Sequence, residues 1–269
     1  MGEVAGSRGR RAEHRAGTPE EALELAERRL ATSLQKQGPD SWGTINAMET
    51  VAKYREQVGR PADALALRKD VMARRRAALG SDHRLTLAAE ARLAVTYLEL
   101  KQPNQAQPHL AHALQGLTTA QGADDPTVLA VTERLADAEL ALGEFPAACR
   151  TLEGVVARYE RAGQDLSAAS AATTLAKALI KDGRHAEACD RLRNVVDIRS
   201  RLLGTDDPET LATLRNLASS LVWNGDYAEA SIVARNVHAA MVRTHGPEHA
   251  DTLHAERLVA DIDRRLQAD

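Results

Sequence analysis

Between Gly204 and His245 the apolar residues fall on two helical stripes separated by a turn. Leu211, Leu214, Leu217, Ala218 and Leu221 recur at three- and four-residue spacing, the period of one helix face. Just before them, Asp207 is placed to accept from the unpaired amides of a first helical turn. Pro208 follows with a preset φ and no amide to satisfy. Asn224-Gly225-Asp226 then stops the helix, with Gly225 suited to the left-handed residue that ends one. From Tyr227 to His245 a second stripe places Ala230, Val233, Ala234, Val237 and Met241 on one face. The pattern predicts helix A, a tight turn and helix B.

The same unit returns along the chain. Ala22, Ala64, Ala106, Ala148, Ala188 and Ala230 are separated by steps of 42, 42, 42, 40 and 42 residues. A second alanine column (Ala52, Ala94, Ala136, Ala176, Ala218, Ala260) and a glycine column (Gly38, Gly80, Gly122, Gly163, Gly204, Gly246) keep the same frame. Self-similarity at this period signals a stacked array of helical units. The alanines mark where helices A and B cross, since a larger side chain there would push the axes apart.

The units predicted are a half repeat over 18–37, repeats over 38–79, 80–121, 122–162, 163–203 and 204–245, and a capping helix over 246–267. Thr18-Pro19-Glu20-Glu21 reads as a capping box that launches the first helix. In the last helix Leu258, Ile262 and Leu266 are expected to face inward behind a polar outer surface. Two places break the pattern. Lys101-Gln102-Pro103 replaces a turn glycine, with Pro108 a few residues beyond; an Asn104 cap would leave Pro108 only the first intrahelical bond to cost. Gly163-Gln164-Asp165 lacks the usual Pro or His.

Composition adds limits. A net charge of -3 gives no reason to expect nucleic acid or a membrane surface as partner. Residues 1–17 carry Arg8, Arg10, Arg11 and Arg15 without a hydrophobic stretch, so a disordered basic leader is expected rather than a secretory signal. Cys149 and Cys189 hold matching positions in neighbouring repeats, too far apart to bridge, and read as buried fillers in a reducing cytoplasm. Neither a phosphate-binding glycine loop nor a zinc-protease or nucleophile-elbow motif is present. His245, His249 and His254 cluster near the last boundary, and His109 and His112 are placed to face solvent together. Neither group predicts a metal site, and no cofactor is implied. Trp42 is expected in a loop as a lid over a helix end.

These offsets resemble tetratricopeptide repeats, and the 42-residue period resembles the kinesin-light-chain-like subtype. The run Leu203-Gly204-Thr205-Asp206-Asp207-Pro208-Glu209-Thr210-Leu211 is similar to the signature between its units. Weaker copies begin at Leu79, Gly122 and His245. The resemblance implies an all-α, right-handed superhelical solenoid of antiparallel helix pairs, about twelve helices, whose A helices line a groove for a protein or peptide partner. By position that groove would hold Asn46, Glu49, Lys53 and Gln57, then Arg92, Val95 and Glu99, then Glu133, Arg134 and Asp137. It would continue through Thr173, Lys177 and Lys181, then Arg215, Asn216, Ser219 and Trp223. Peptide-clamping relatives often carry Asn before the Leu-Ala pair. Asn216 keeps it, while Thr50, Arg92, Arg134 and Thr174 replace it. The two arginines suggest carboxylate or phosphate contacts instead. Trp223 is the best single anchor candidate, because aromatics are only 3% of the chain. The resulting reading is a non-catalytic scaffold or adaptor. A ligand-responsive sensor working with a separate effector is the alternative, and an accessory subunit or groove-borne enzyme the third.

Overall fold

Wherever the apolar stripe breaks, a short polar turn cuts the chain. The computed structural model describes residues 17–267, which hold twelve α-helices and no strand. The expected basic leader, apart from Gly17, lies outside the described residues. The helices form two compact units, divided after Leu142. Unit 1 contains α1 (Pro19–Gln37), α2 (Trp42–Gln57), α3 (Pro61–Leu79), α4 (Arg84–Glu99), α5 (Pro103–Gln121) and α6 (Pro126–Leu142). Unit 2 contains α7 (Phe145–Arg161), α8 (Asp165–Lys181), α9 (His185–Leu202), α10 (Pro208–Asn224), α11 (Tyr227–His245) and α12 (Ala250–Leu266). Within each unit every helix packs on the next in sequence, as short connections between antiparallel neighbours require. In unit 1, α4 also touches α6.

The alanine columns occupy the crossings. Ala64, Ala106, Ala148, Ala188 and Ala230 are fully buried, as are Ala52, Ala94, Ala136 and Ala218. Leucines fill the space between crossings. In unit 1, Leu87, Leu93, Leu110 and Leu117 form one cluster with Tyr97. Burying each leucine contributes about 1.5–3 kcal/mol. Ala260 departs from its column and is exposed, because among the described residues no B helix follows α12 to cover it. Leu266, expected inside, is exposed as well, whereas Ile262 is fully buried and Leu258 half-buried.

The inter-unit signature has a physical role. Thr44 and Thr252 are buried, and each hydroxyl donates to the carbonyl of the glycine opening its loop, Gly38 and Gly246, at 2.8 Å. The threonine thereby fastens the loop across the first turn of helix A. Asp207 caps α10 as expected, its carboxylate accepting from the Glu209 and Thr210 amides at 2.8 and 3.4 Å. At α1 the Thr18 hydroxyl accepts from the Glu21 amide, but the Glu21 carboxylate reaches the Gly17 amide rather than that of Thr18. The capping box is thus shifted by one residue.

Both sequence irregularities have structural counterparts. Gly225 ends α10 at φ 87°, ψ 1°, and Lys101 takes the corresponding place after α4 with φ 58°, the one positive φ outside glycine among the described residues. Asn104 does not cap α5. Pro103 begins the helix after Gln102, which leaves Pro108 inside it and the Asn104 carbonyl without its usual amide. Before α8 only two residues run from the loop glycine to the helix, Gly163 and Gln164, where the other A helices have four from that glycine onward, such as Gly204 to Asp207. This two-residue deletion produces the 40-residue step between Ala148 and Ala188.

Candidate functional site

The A helices of unit 1 present their expected residues on one face, and two clefts open there. The first, about 360 Å³, lies against α2 and gathers Asn46, Glu49, Thr50 and Lys53 with Arg92 of α4. Arg29 and Arg68, from α1 and α3, complete its lining. The second, about 490 Å³, lies between α4 and α6 and brings Val95 and Glu99 together with Arg134 and Asp137. Leu98, Lys101, Pro103 and Ala141 close it with a largely apolar floor.

The charges of this face are already engaged. Arg92 pairs with Glu49 across the α2–α4 step at 2.8 Å. Arg134 pairs with Asp137 at 2.8 Å and lies 3.8 Å from Glu133. Each of these arginines holds a carboxylate of its own face, so a ligand's carboxylate or phosphate would engage it by exchange with that pair. The exposed Arg134–Asp137 pair stabilises by only about 0–1 kcal/mol, so it can exchange partners at low cost. At the rim of the second cleft, partial desolvation pushes the Glu99 carboxyl up; the charge of Glu56 adds to the rise and Arg68 opposes it.

Three buried arginines, which the sequence reading passed over, brace the helices, Arg68 and Arg75 in unit 1 and Arg199 in unit 2. The Arg75 side chain is 3% exposed and donates to Glu49 Oε2 (2.7 Å), Asn46 Oδ1 (3.2 Å) and the Leu85 carbonyl (3.0 Å). It ties α2, α3 and α4 together and orients two groove residues. Arg199 holds the same repeat position in unit 2, reaching the Glu209 carbonyl at 3.3 Å and the Thr213 hydroxyl at 2.6 Å. The available signal was an arginine in frame with Leu117 and Met241 of other repeats. Arg68 likewise forks onto Glu56 at 3.0 and 2.6 Å, and the Thr96 hydroxyl donates to the same carboxylate.

Trp42 is not a loop lid. It is the first residue of α2, 52% exposed, with the Arg75 guanidinium 5.5 Å from its ring centre. His109 and His112 do not simply face solvent together either. Both Nδ1 atoms lie 2.8 Å from the Glu90 carboxylate, a buried group of α4. Burial alone pushes that carboxyl up, but the two imidazole hydrogen bonds outweigh it and hold Glu90 below the ordinary glutamate value. Near the last boundary, His249 caps α12 through Nδ1 and His245 lies against it at 4.7 Å. Among the described residues no three metal-binding side chains converge.

In unit 2 the expected residues lie on α8 and α10. Trp223 is 70% exposed and lies nearly parallel to His185 at 6.2 Å. Thr173 bonds back to the Ala169 carbonyl of its own helix. A cleft of about 360 Å³ that the sequence reading missed opens on the opposite set of helices, between α9 and α11, where Arg243 bridges to Asp206 at 2.7 Å. Cys149 and Cys189 are buried free thiols, both pushed up chiefly by burial. No described helix is long and apolar enough to cross a membrane.

Comparison with known proteins agrees with this geometry. The chain is similar to solved TPR-like repeats, nearly identical to one another, assigned to a kinesin light chain of Podosopora anserina. The identity is 27% and the TM-score 0.70, over 78% of this chain and 99% of that one. BtubC from P. vanneervenii shares the fold at 18% identity and a TM-score of 0.67, covering 92% and 93% of the two chains. So does a signal-transduction ATPase with a tetratricopeptide repeat sensor from Pyrococcus horikoshii, at 11% identity and a TM-score of 0.74. That match covers 94% of this chain and 37% of the ATPase. No curated protein matches the chain. The tetratricopeptide-repeat family model matches residues 44–119 and 167–231, more than half of the sequence. The chain belongs to the tetratricopeptide-repeat family, with repeats of the kinesin-light-chain-like kind.

Proposed function

We propose that this protein is a non-catalytic scaffold that holds a segment of a partner protein against its A-helix faces, and that it works in the cytoplasm. The observation that carries the reading is the α4–α6 cleft. Its apolar floor of Leu98, Pro103 and Ala141, rimmed by Glu99, Arg134 and Asp137, combines an apolar centre with a polar edge. Buried free thiols fit a reducing compartment. The charged groups of the face are engaged with one another, an arrangement suited to exchanging partners rather than to acid–base chemistry.

The test is affinity capture from native extract with the full chain as bait. A partner retained by the unaltered protein and lost on Arg92→Glu with Arg134→Glu supports the reading, provided the variant keeps its helical circular dichroism. Retention of every partner by that variant and by Trp223→Ala would sink it.

A further inference from the structure

The B helices repeat their outer stripe as well, and on α11 its chemistry changes. Glu229, Asn236 and Arg243 stand seven residues apart, about two turns, and so lie along one line of that helix. Beside the line are Ile232 and Ala239, both exposed. Ile232 is 63% exposed, more than any other large aliphatic side chain among the described residues. The preceding B helix, α9, repeats the line as Glu187, Asn194 and Arg201, but has Asp190 and Asp197 where α11 has Ile232 and Ala239. On α7 the position of Ile232 is held by Arg150. An isoleucine this open is therefore a feature of α11 and not of the repeat.

The same face carries a recess and charges of both signs. Asn236, Ala239 and Arg243 border the cleft between α9 and α11, which Leu211 and Leu214 help to line. Helix α11 has Glu229 in its first turn and Arg243 and His245 in its last. Glu229 meets Arg193 at 2.8 Å and Arg243 meets Asp206 at 2.7 Å, and all four side chains stay at least 39% exposed. The Asn236 amide makes no hydrogen bond among the described residues. Arg235, which flanks the line, is drawn aside by Asp263 of α12 at 2.9 Å.

We propose that the outer face of α11 is the contact by which two copies of this chain pair, antiparallel, about a twofold axis passing beside Asn236. About that axis Glu229 of each copy lies opposite Arg243 of the second copy. Ile232 packs on Ala239 of the second copy at the mouth of its cleft, and the two Asn236 amides face each other. Charge complementarity selects the occupant: an antiparallel second copy sets the acidic first turn of α11 against a basic last turn twice over. It also extends Arg193–Glu229 and Arg243–Asp206 into one row of alternating charge. A parallel copy would oppose like charges, and the same pairing on α9 would bring Asp190 against Asp197. A large apolar side chain opposite a small one, with a polar asparagine at the axis, fixes the register of two packed helices. This inference concerns the B-helix face and goes beyond the scaffold reading, which stands or falls without it.

Sedimentation velocity of the full chain across a dilution series is the first measurement, and cysteine cross-linking the second. The expected result is a concentration-dependent species of twice the 29.0 kDa chain mass. Ile232→Asp should weaken it about tenfold or more, and Arg150→Asp, at the corresponding place on α7, should leave it unchanged. Ile232 is exposed, so its substitution leaves the fold intact, as helical circular dichroism would check. A residue on a twofold axis lies opposite itself, so Asn236→Cys should give a covalent dimer on mild oxidation, whereas Asn194→Cys on α9 should not. Cys149 and Cys189 are buried and do not compete. Three results would each overturn the pairing: a chain that stays monomeric up to about 100 μM, a dimer indifferent to Ile232→Asp, or no cross-link through Asn236→Cys.

Discussion

Lys101 illustrates how a single residue departs from the repeat at a local cost. Gly59, Gly143, Gly183 and Gly225 take positive φ at the other A-to-B turns, and Lys101 alone must hold φ 58° with a side chain attached. A left-handed L-residue costs about 1–2 kcal/mol, which glycine avoids. Lys101→Gly should therefore raise the unfolding free energy by about 1 kcal/mol, less what glycine gains in unfolded-state entropy. Urea denaturation checks this, and an unchanged midpoint would show that the turn is not strained. The turn could be located in the sequence because the glycine frame pointed to it. The engagement of Arg92 and Arg134 could not, since pairing depends on which carboxylate a neighbouring helix brings within reach.

At the scale of the element, helices are held by polar clasps as well as by the alanine crossings. Glu90 sits on α4 where other repeats have Met48, Thr132 or Leu214, and it is matched by His109 and His112 on α5. Because its carboxyl is held below the ordinary glutamate value of about 4.3, the stabilisation is complete above that pH and is lost as pH falls through the folded-state value. Glu90→Gln should cost about 1–3 kcal/mol at neutral pH and flatten the fall in stability on acidification below about pH 4. Parallel thermal melts across that pH range would reveal an unaltered acid limb if the clasp were absent. Both histidines could be read from the chain as one turn apart, but their shared acceptor lies on another helix and belongs to no local motif.

Across the molecule, the A-helix faces divide into a supported, self-paired part in unit 1 and an unpaired cationic part in unit 2. Glu49 is structural as well as exposed to the cleft, since it satisfies buried Arg75. Glu49→Ala should lower stability by about 3–5 kcal/mol, because it leaves a buried guanidinium without its carboxylate. Lys177→Ala with Lys181→Ala removes no ion pair and should stay within about 0.5 kcal/mol for each change. Chemical denaturation of both variants distinguishes the two roles, and a large loss from the lysine pair would mean that they bear on the fold instead of on a ligand.

The period of alanines, glycines and leucines determined the helices, their turns, the A and B faces and the family, because each depends on spacing along the chain and on the steric demand of a helix crossing. The same period placed Val95, Glu99, Arg134 and Asp137 on one face before their cleft was seen. Tertiary structure decided which charges neutralise one another, that Arg75 and Arg199 are buried struts, that Trp42 stacks on an arginine while Trp223 stays open, and that Ala260 is exposed. Those outcomes depend on residues that neighbouring helices bring together, and a repeat whose core tolerates many side chains at each position does not encode such pairings in its period.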